Sequence, residues 1–186
     1  MESTTQIYLE LTLESGALLQ GEARAGGYEN RIDIEGFEFS ASAKKQSLKD
    51  LKKDGAVANL DFERVTVSKV FDRASLLLAG VLSRHERFRE AKIAVDQQYI
   101  DPDWVGKVRN EILIIYLYAG YIADIKFRTS EGNVGASIKE DITLSFHNCT
   151  IYYYAYSGDR SNTGKLGDDY RQETWTFQTQ REEQEA

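Results

Sequence analysis

The sequence predicts a mainly β protein, a small β-barrel of two antiparallel sheets with one short amphipathic α-helix beside it. Apolar and polar residues alternate along most of the 186-residue chain, which is typical of half-buried strands. One segment, which follows Asp72, instead carries apolar residues at helical spacing. The chain has a single proline, Pro102, and no Pro-, Ser- or Gly-rich linker that would separate two cores. Residues 1–179 are therefore predicted to form one domain.

The first predicted strands lie near the N-terminus. Across residues 7–13 the odd-numbered positions are apolar and the even-numbered positions are Tyr, Glu or Thr, as in a strand with one buried face. Several glycines then mark a long connection. Alternation resumes at Ile32, and Gly36 shifts the apolar positions to the phenylalanines that follow it. This shift indicates a β-bulge in the second strand.

Residues 60–95 join a strand, a helix and a return strand with few spare residues. The apolar alternation slips at residues 63–64 and resumes at Val65, which predicts a β-bulge. Asp72 is the predicted N-cap of the helix. Polar residues 83–86 end the helix, and alternation from Ala91 to Val95 predicts the return strand. The helix face expected to pack on the sheet comprises Ala74, Leu77, Leu78, Val81 and Leu82.

The run 112–118 is apolar or aromatic at every position. If it is a strand, neither of its faces can be freely solvated, so we predict that one face contacts another subunit. A long β-hairpin is predicted over residues 141–156 and a closing strand at Trp175, whereas residues 180–186 lack the apolar content to become ordered. The candidate interface residues are Ile112, Ile114, Tyr116 and Tyr118.

A lysine-rich segment lies between the second and third predicted strands. Its charged residues are interleaved in sign, so a solvated loop or short helix is favoured over a phosphate-binding patch. The formal net charge of −7 also argues against nucleic-acid binding, which needs clustered cations. The charged residues concerned are Lys44, Lys45, Lys49, Asp50, Lys52 and Lys53.

The sequence offers little that would support catalysis. Its only histidines are His85 and His147, and no metalloprotease, nucleophile-elbow, phosphate-loop or paired-cysteine motif accompanies them. Both are interpreted as structural, His85 at a helix end and His147 in a strand. Cys149 can share a strand face with His147, but no third residue is evident to orient a base. We predict no enzyme activity, no cofactor and no metal site.

The N-terminal residues carry no basic region and no continuous apolar region, so a Sec-type signal peptide is not expected. The longest apolar run, residues 112–119, is shorter than the roughly 18–20 residues that span a bilayer. The sequence therefore predicts no insertion into a membrane. Export would require another route.

The strand-to-helix segment resembles the haemolysin-coregulated protein (Hcp) family, the tube-forming subunits of bacterial type VI secretion systems. Weaker likenesses cover residues 7–11, 32–39, 141–146 and 151–154, and Trp175. The chain departs from the family pattern in two ways. Phenylalanines stand in place of the usual Trp-rich second strand, and the chain is longer around residues 101–110 and 157–171. In the family, a strand of the form x-F-x-x-V-x-V-x-K-x-x-D-x-A-S runs directly into the helix, and the matching residues here are Phe62, Val65, Val67, Lys69, Asp72, Ala74 and Ser75.

The resemblance implies a structural tube subunit that forms homo-oligomeric, hexameric rings, which stack into an inner tube and carry or chaperone effectors. The implied partners are further copies of the chain, the contractile sheath, spike and baseplate proteins, and effector cargo in the lumen. The implied location is the bacterial cytoplasm and then the extracellular space or a target cell. Because the family carries an extended loop at residues 41–56, we expect the lysine-rich segment to contact the next ring.

Three alternatives remain open from the sequence. The first is a small secreted effector or enzyme delivered by such a system, which would need a buried polar constellation. The second is a phage-type tail-tube subunit, which belongs to the same structural class. The third is a ligand-binding barrel of the lipocalin type, which would need a lined internal cavity.

Overall fold

The computed structural model describes residues 3–24, 28–43, 60–100, 107–132, 135–155 and 171–178. Within these ranges the chain forms nine strands and one helix, which confirms the predicted mainly β class with a single helix. The elements are β1 (Ser3–Leu13), β2 (Ile32–Ile34), β3 (Gly36–Ala43), β4 (Leu60–Val70), α1 (Arg73–Ser83), β5 (Arg87–Ile100), β6 (Lys107–Gly132), β7 (Gly135–Ser145), β8 (Asn148–Ala155) and β9 (Arg171–Gln178).

The nine described strands belong to one antiparallel hydrogen-bonded sheet. Its main order is β2-β1-β5-β6-β7-β4-β3, and β8 pairs with β6 and with β9. The end strands β2 and β3 are not paired with each other, but they follow one another in the chain with only Glu35 between them. The apolar shift at Gly36 therefore marks the point where the chain leaves β1 and begins to pair with β4. Within the described ranges the strands form one hydrogen-bonded sheet whose two end strands do not pair with each other, which is broadly consistent with the small β-barrel expected.

Strand β6 spans 26 residues and organises the sheet. Its first part lies between β5 and β8, and its last part pairs with β7. The change of partners follows Ala119, whose φ of 52° places it in the left-handed region. A Cβ atom on Gly120 would lie 2.2 Å from both Phe88 Cζ and the Ser145 carbonyl oxygen. Only glycine fits this crossing without displacing its neighbours.

The predicted hairpin over residues 141–156 is wrong. Strands β7 and β8 follow one another in the chain, yet each pairs with a different part of β6. Alternation showed correctly that both segments are strands, but it contains no information about which strands are neighbours. The predicted bulge in β4 is confirmed, because residues 63–64 stand opposite a single residue of β3.

The inward faces of the strands and of α1 form one hydrophobic core cluster. Helix α1 is capped by Asp72, as predicted, and Ala74, Leu78 and Val81 are buried. Leu77 was expected on the buried face but is 40% exposed, whereas Ser75 is fully buried. The buried stripe is rotated towards Ser75 because that side chain belongs to a polar network beneath the helix.

Candidate functional site

The predicted interface residues lie in the first part of β6, where side chains alternate between the core and the opposite face. Ile115 and Leu117 belong to the core, and Ile114 on the opposite face is also buried, at 6% exposure. Ile112 lies at a register shift, because Glu111 pairs with Asp96 whereas Leu113 pairs with Val95. It therefore does not continue the regular alternation.

An aromatic surface covers this opposite face, and we call it the tyrosine face (Ile114, Tyr116, Tyr118 and Tyr152). The rings of Tyr116 and Tyr118 are parallel, with centroids 6.0 Å apart. Tyr152, from the neighbouring strand β8, meets Tyr116 edge-on at 5.8 Å. Partial burial, and then the nearby Glu90 carboxylate, raise the pKa of Tyr118, so its hydroxyl is protonated at neutral pH.

A charge-balanced network adjoins the tyrosine face. Lys92, which is paired with Tyr116 across β5 and β6, places its Nζ 2.9 Å from Glu111 Oε1. The Arg31 guanidinium lies 3.2 Å from a Glu10 oxygen and 3.7 Å from Glu111 Oε1. Two cations and two carboxylates thus balance one another's charge on this surface.

The connection before β2 folds back over the neighbouring part of the sheet. Tyr28 stacks on Tyr8 with ring centroids 4.4 Å apart, and the Arg31 guanidinium lies 4.4 Å from the centroid of the Tyr28 ring. Both tyrosines are buried. This part of the surface is therefore covered by its own chain, whereas the tyrosine face keeps half-exposed rings.

A buried polar network fixes helix α1 to the sheet. Lys69 in β4 and Glu140 in β7 are paired across the strands, both fully buried, with Nζ 2.9 Å from Oε1. The Lys69 ammonium group also donates to Asp72 Oδ1 at 2.6 Å and to the Val70 carbonyl oxygen at 2.7 Å. The Ser75 hydroxyl donates to the same oxygen of Glu140 at 2.7 Å.

The same residues cap the helix. Asp72 Oδ1 accepts hydrogen bonds from the backbone amides of Ala74 and Ser75, and Ser75 Oγ accepts one from the Asp72 amide. This reciprocal arrangement is a capping box. The Lys, Asp and Ser of the strand-to-helix pattern are therefore the residues that attach the helix to the sheet.

The side chains considered for catalysis occupy structural positions. Burial raises the pKa of the Cys149 thiol to about 12, so it is protonated at neutral pH and is a poor nucleophile. The His147 amide donates to the Tyr118 carbonyl oxygen, and His85 adopts a left-handed conformation with φ of 51° just after α1. Within the described ranges no three His, Cys, Asp or Glu side chains are grouped as a metal site.

Comparisons with known proteins agree with the strand-to-helix arrangement. The family model described as "Type VI secretion system effector, Hcp" matches residues 8–153, which is more than three quarters of the chain. The chain belongs to the Hcp family. No curated protein matches the sequence significantly.

Solved Hcp structures share this fold. The Hcp1 protein from E. coli EAEC 042 aligns with a TM-score of 0.65 and 14% identity, over 94% of this chain and 99% of that one. Hcp1 from Salmonella typhimurium aligns with a TM-score of 0.64 and 15% identity, over 94% of this chain and 95% of that one. Hcp3 from Pseudomonas aeruginosa aligns with a TM-score of 0.61 and 16% identity, over 96% of this chain and 100% of that one. At these identities the likeness demonstrates a common fold.

The Hcp motif did not reveal Glu140, the partner of its lysine. A signal was nevertheless present, because Lys69 shares its strand face with buried Val65 and Val67, and Glu140 shares its face with buried Ile142. A basic and an acidic residue at core positions of two strands are expected to pair, since an isolated buried charge is costly. The network of Glu10, Arg31, Lys92 and Glu111 was also missed, and its members lie on outward positions that predict only solvation.

The predicted ring-stacking residues of the Hcp chain, Lys44 to Lys53, lie outside the described residues. The chain was expected to be longer than its relatives around residues 101–110 and 157–171, and of these only 107–110 and 171 are described. The predicted tail at 180–186 also lies outside the described residues. No helix of the described ranges is long and apolar enough to cross a membrane.

Proposed function

We propose that this Hcp-family protein is a structural tube subunit of a type VI secretion system. It assembles into hexameric rings, and the rings stack into an inner tube that carries effectors. The family match over residues 8–153 is the observation that carries this proposal. On this hypothesis the further partners are the sheath, spike and baseplate proteins. The subunit is made in the bacterial cytoplasm and is exported through the secretion apparatus to the extracellular space or a target cell.

The tyrosine face is the proposed contact between neighbouring subunits of a ring. Tyrosine rings bury a large apolar area and keep a hydroxyl that tolerates water, so they suit a surface that is solvated before assembly and covered afterwards. The half-exposed Tyr116 and Tyr118 already stack on each other, which limits the side-chain entropy lost on binding. Ile112 belongs to this proposal as a flanking residue at the edge of the face.

The proposed role is mechanical, without catalysis or a cofactor. Support comes from the protonated state of Cys149 and from the structural positions of His85 and His147. On this hypothesis His85→Ala and Cys149→Ser leave secretion intact. Loss of secretion by either variant while rings still form would favour the alternative of an enzyme delivered by the system.

Ring formation tests the proposal. Size exclusion with light scattering at micromolar concentrations should give a hexamer, and negative-stain microscopy should show rings in end view. Replacing both Tyr116 and Tyr118 with Ser should shift the protein to monomers that remain folded by circular dichroism. The control is Leu76→Ser, because Leu76 is 70% exposed on α1 and lies outside the tyrosine face. Wild-type protein that stays monomeric and shows no rings would contradict the proposal.

Contact between stacked rings is assigned to residues 41–56. Lys49, Lys52 and Lys53 are proposed to face an acidic surface of the next ring, and such exposed charge pairs are screened over about 10 Å at 0.1 M salt. Replacing the three lysines with Glu should leave single rings intact and suppress stacked tubes. Mutant rings that stack and secrete like wild type would contradict this assignment.

A further inference from the structure

One oxygen atom of the buried polar network beneath α1 lacks a hydrogen-bond donor. Glu140 is fully buried, and its Oε1 accepts hydrogen bonds from Lys69 Nζ at 2.9 Å and from Ser75 Oγ at 2.7 Å. Its Oε2 is also buried, yet no residue that the structure describes donates to it. A buried carboxylate oxygen without a donor is destabilising and rare in native proteins, so this atom requires an explanation.

The donors of the network itself are already engaged. The Lys69 ammonium group has three protons and finds four acceptors between 2.6 and 3.1 Å. These acceptors are the Val70 carbonyl oxygen, Asp72 Oδ1, Ser75 Oγ and Glu140 Oε1. The Ser75 hydroxyl has a single proton, which it donates to Glu140 Oε1, and the first backbone amides of α1 donate to Asp72 Oδ1. Turning any of these donors towards Oε2 would break a bond that already exists.

The neighbouring cations are bound on the other side of the sheet. Lys139 precedes Glu140 in β7, so it points to the outward side, where its Nζ lies 2.8 Å from both carboxylate oxygens of Glu35. Arg128 binds Asp141, which follows Glu140 and also lies on the outward side. Glu140 Oε2 therefore needs a donor that does not come from the described side chains.

The charges around the network decide which kind of ligand can supply this donor. The single ammonium group of Lys69 is bonded to the carboxylates of both Asp72 and Glu140, so negative charge is in excess. Burial, and then the Asp72 carboxylate, raise the pKa of Asp33, which shows that the excess is felt as far as β2. An anion is therefore disfavoured at Oε2. A metal ion is disfavoured too, because the described acidic side chains are not grouped as a metal site.

We propose that one internal water molecule is bound in this network and donates a hydrogen bond to Glu140 Oε2. Water is the smallest neutral donor, and internal waters satisfy buried polar groups of this kind in many proteins. With this ligand each oxygen of Glu140 is bonded, and the water becomes part of the attachment between α1 and β7. The site lies within a single subunit, so it does not depend on ring assembly or on the proposed function.

A crystal structure of the wild-type protein that resolves ordered water tests the site directly. Density for a water oxygen is expected about 2.5–3.0 Å from Glu140 Oε2. The Glu140→Gln variant should keep this density, because water can instead accept from the amide nitrogen that replaces Oε2. The double variant Lys69→Met and Glu140→Leu should lose it, because no polar side-chain atom then remains at this position. A wild-type structure without the density, or a double variant that retains it, would overturn the inference.

A measurement in solution gives an answer without crystals. Magnetic relaxation dispersion of the water oxygen nucleus counts internal waters that exchange slowly with the solvent. Wild type and Glu140→Gln should each hold one more such water per subunit than the double variant, with circular dichroism showing that all three proteins are folded. Equal counts in wild type and the double variant would contradict the proposal, and so would a count in Glu140→Gln that matches the double variant.

Discussion

Loss of either partner from the buried pair of Lys69 and Glu140 should destabilise the fold strongly. Both side chains are fully buried, and their charged atoms are 2.9 Å apart. Removing Lys69 leaves the Glu140 carboxylate buried without a counter-charge, and removing Glu140 leaves Lys69 with Asp72 alone; losing one partner of a buried pair typically costs about 3–5 kcal/mol. We therefore expect Lys69→Met and Glu140→Leu each to destabilise the fold by about that amount.

The double variant should be much less destabilised than the sum of the two single variants. With both charges absent, two apolar side chains of similar volume occupy the space, and such replacements are often close to neutral. The coupling energy from the double-mutant cycle should exceed about 2 kcal/mol. In the double variant Ser75 loses its hydrogen bonds with Lys69 and Glu140 and Asp72 loses its bond with Lys69, so some destabilisation of the helix start remains.

Urea and thermal unfolding at one fixed protein concentration provide the assay, because assembly makes apparent stability concentration-dependent. Each single variant should lower the melting temperature by about 6–20 °C, at about 2–4 °C per kcal/mol. The control is Arg128→Met, which removes an exposed ion pair with Asp141 at 3.0 Å and should have a far smaller effect. The reasoning would be refuted if the single variants melted within about 2 °C of wild type, or if the destabilisation of the double variant equalled the sum of the two single variants.

Three further predictions concern other parts of the fold. Gly120→Ala should prevent normal folding or lower stability by several kcal/mol, because its Cβ would lie 2.2 Å from a ring and a carbonyl oxygen; the soluble yield and the urea midpoint measure this. Cys149 should react with a thiol reagent at pH 8 only at the rate of unfolding, since the thiol is buried and its pKa is about 12; fast labelling of folded protein would contradict this. Hydrogen bonds from Arg128, and then from Ser68, lower the pKa of Asp141. A carboxyl group whose pKa is lower in the folded state than in the unfolded state stabilises the fold at pH values above its unfolded-state pKa. This contribution is lost as the pH falls through the folded-state pKa. The Asp141→Asn variant should therefore lose less stability than wild type as the pH falls from 5 to 2. Urea unfolding curves at about two or three pH values for each protein would measure this difference.

Sequence reasoning succeeded where the determining interactions are local. The bulge at residues 63–64 appears as a slip in alternation, and Asp72 precedes the helix with Ser75 three residues later, which is enough to predict a cap. It failed where the partner is distant in the chain. Glu140 lies 71 residues after Lys69, and alternation shows that each is inward-facing without showing that they are neighbours.

The same limitation explains the errors in the helix and the second hairpin. Helical spacing places Leu77 and Leu78 side by side, and only the position of the polar network decides that Ser75 is buried and Leu77 is exposed. Likewise, β7 and β8 are read correctly as strands, but the bend at Ala119 in β6 gives each of them a different partner. That bend depends on a close approach of backbone atoms that leaves no periodic signal in the sequence.

The charge network beside the tyrosine face bears on how such a face can be covered by another subunit. Burying an unpaired charge at an interface is costly, so a surface that is to be covered needs its charges satisfied beforehand. Lys92 and Arg31 are already bound to Glu10 and Glu111 within the chain. On the proposed function, Glu111→Gln should therefore weaken ring assembly more than monomer stability, because Lys92 would then be covered with its 2.9 Å partner neutralised. Rings of Glu111→Gln that persist at the same dilution as wild type would show that this surface stays solvated in the assembly.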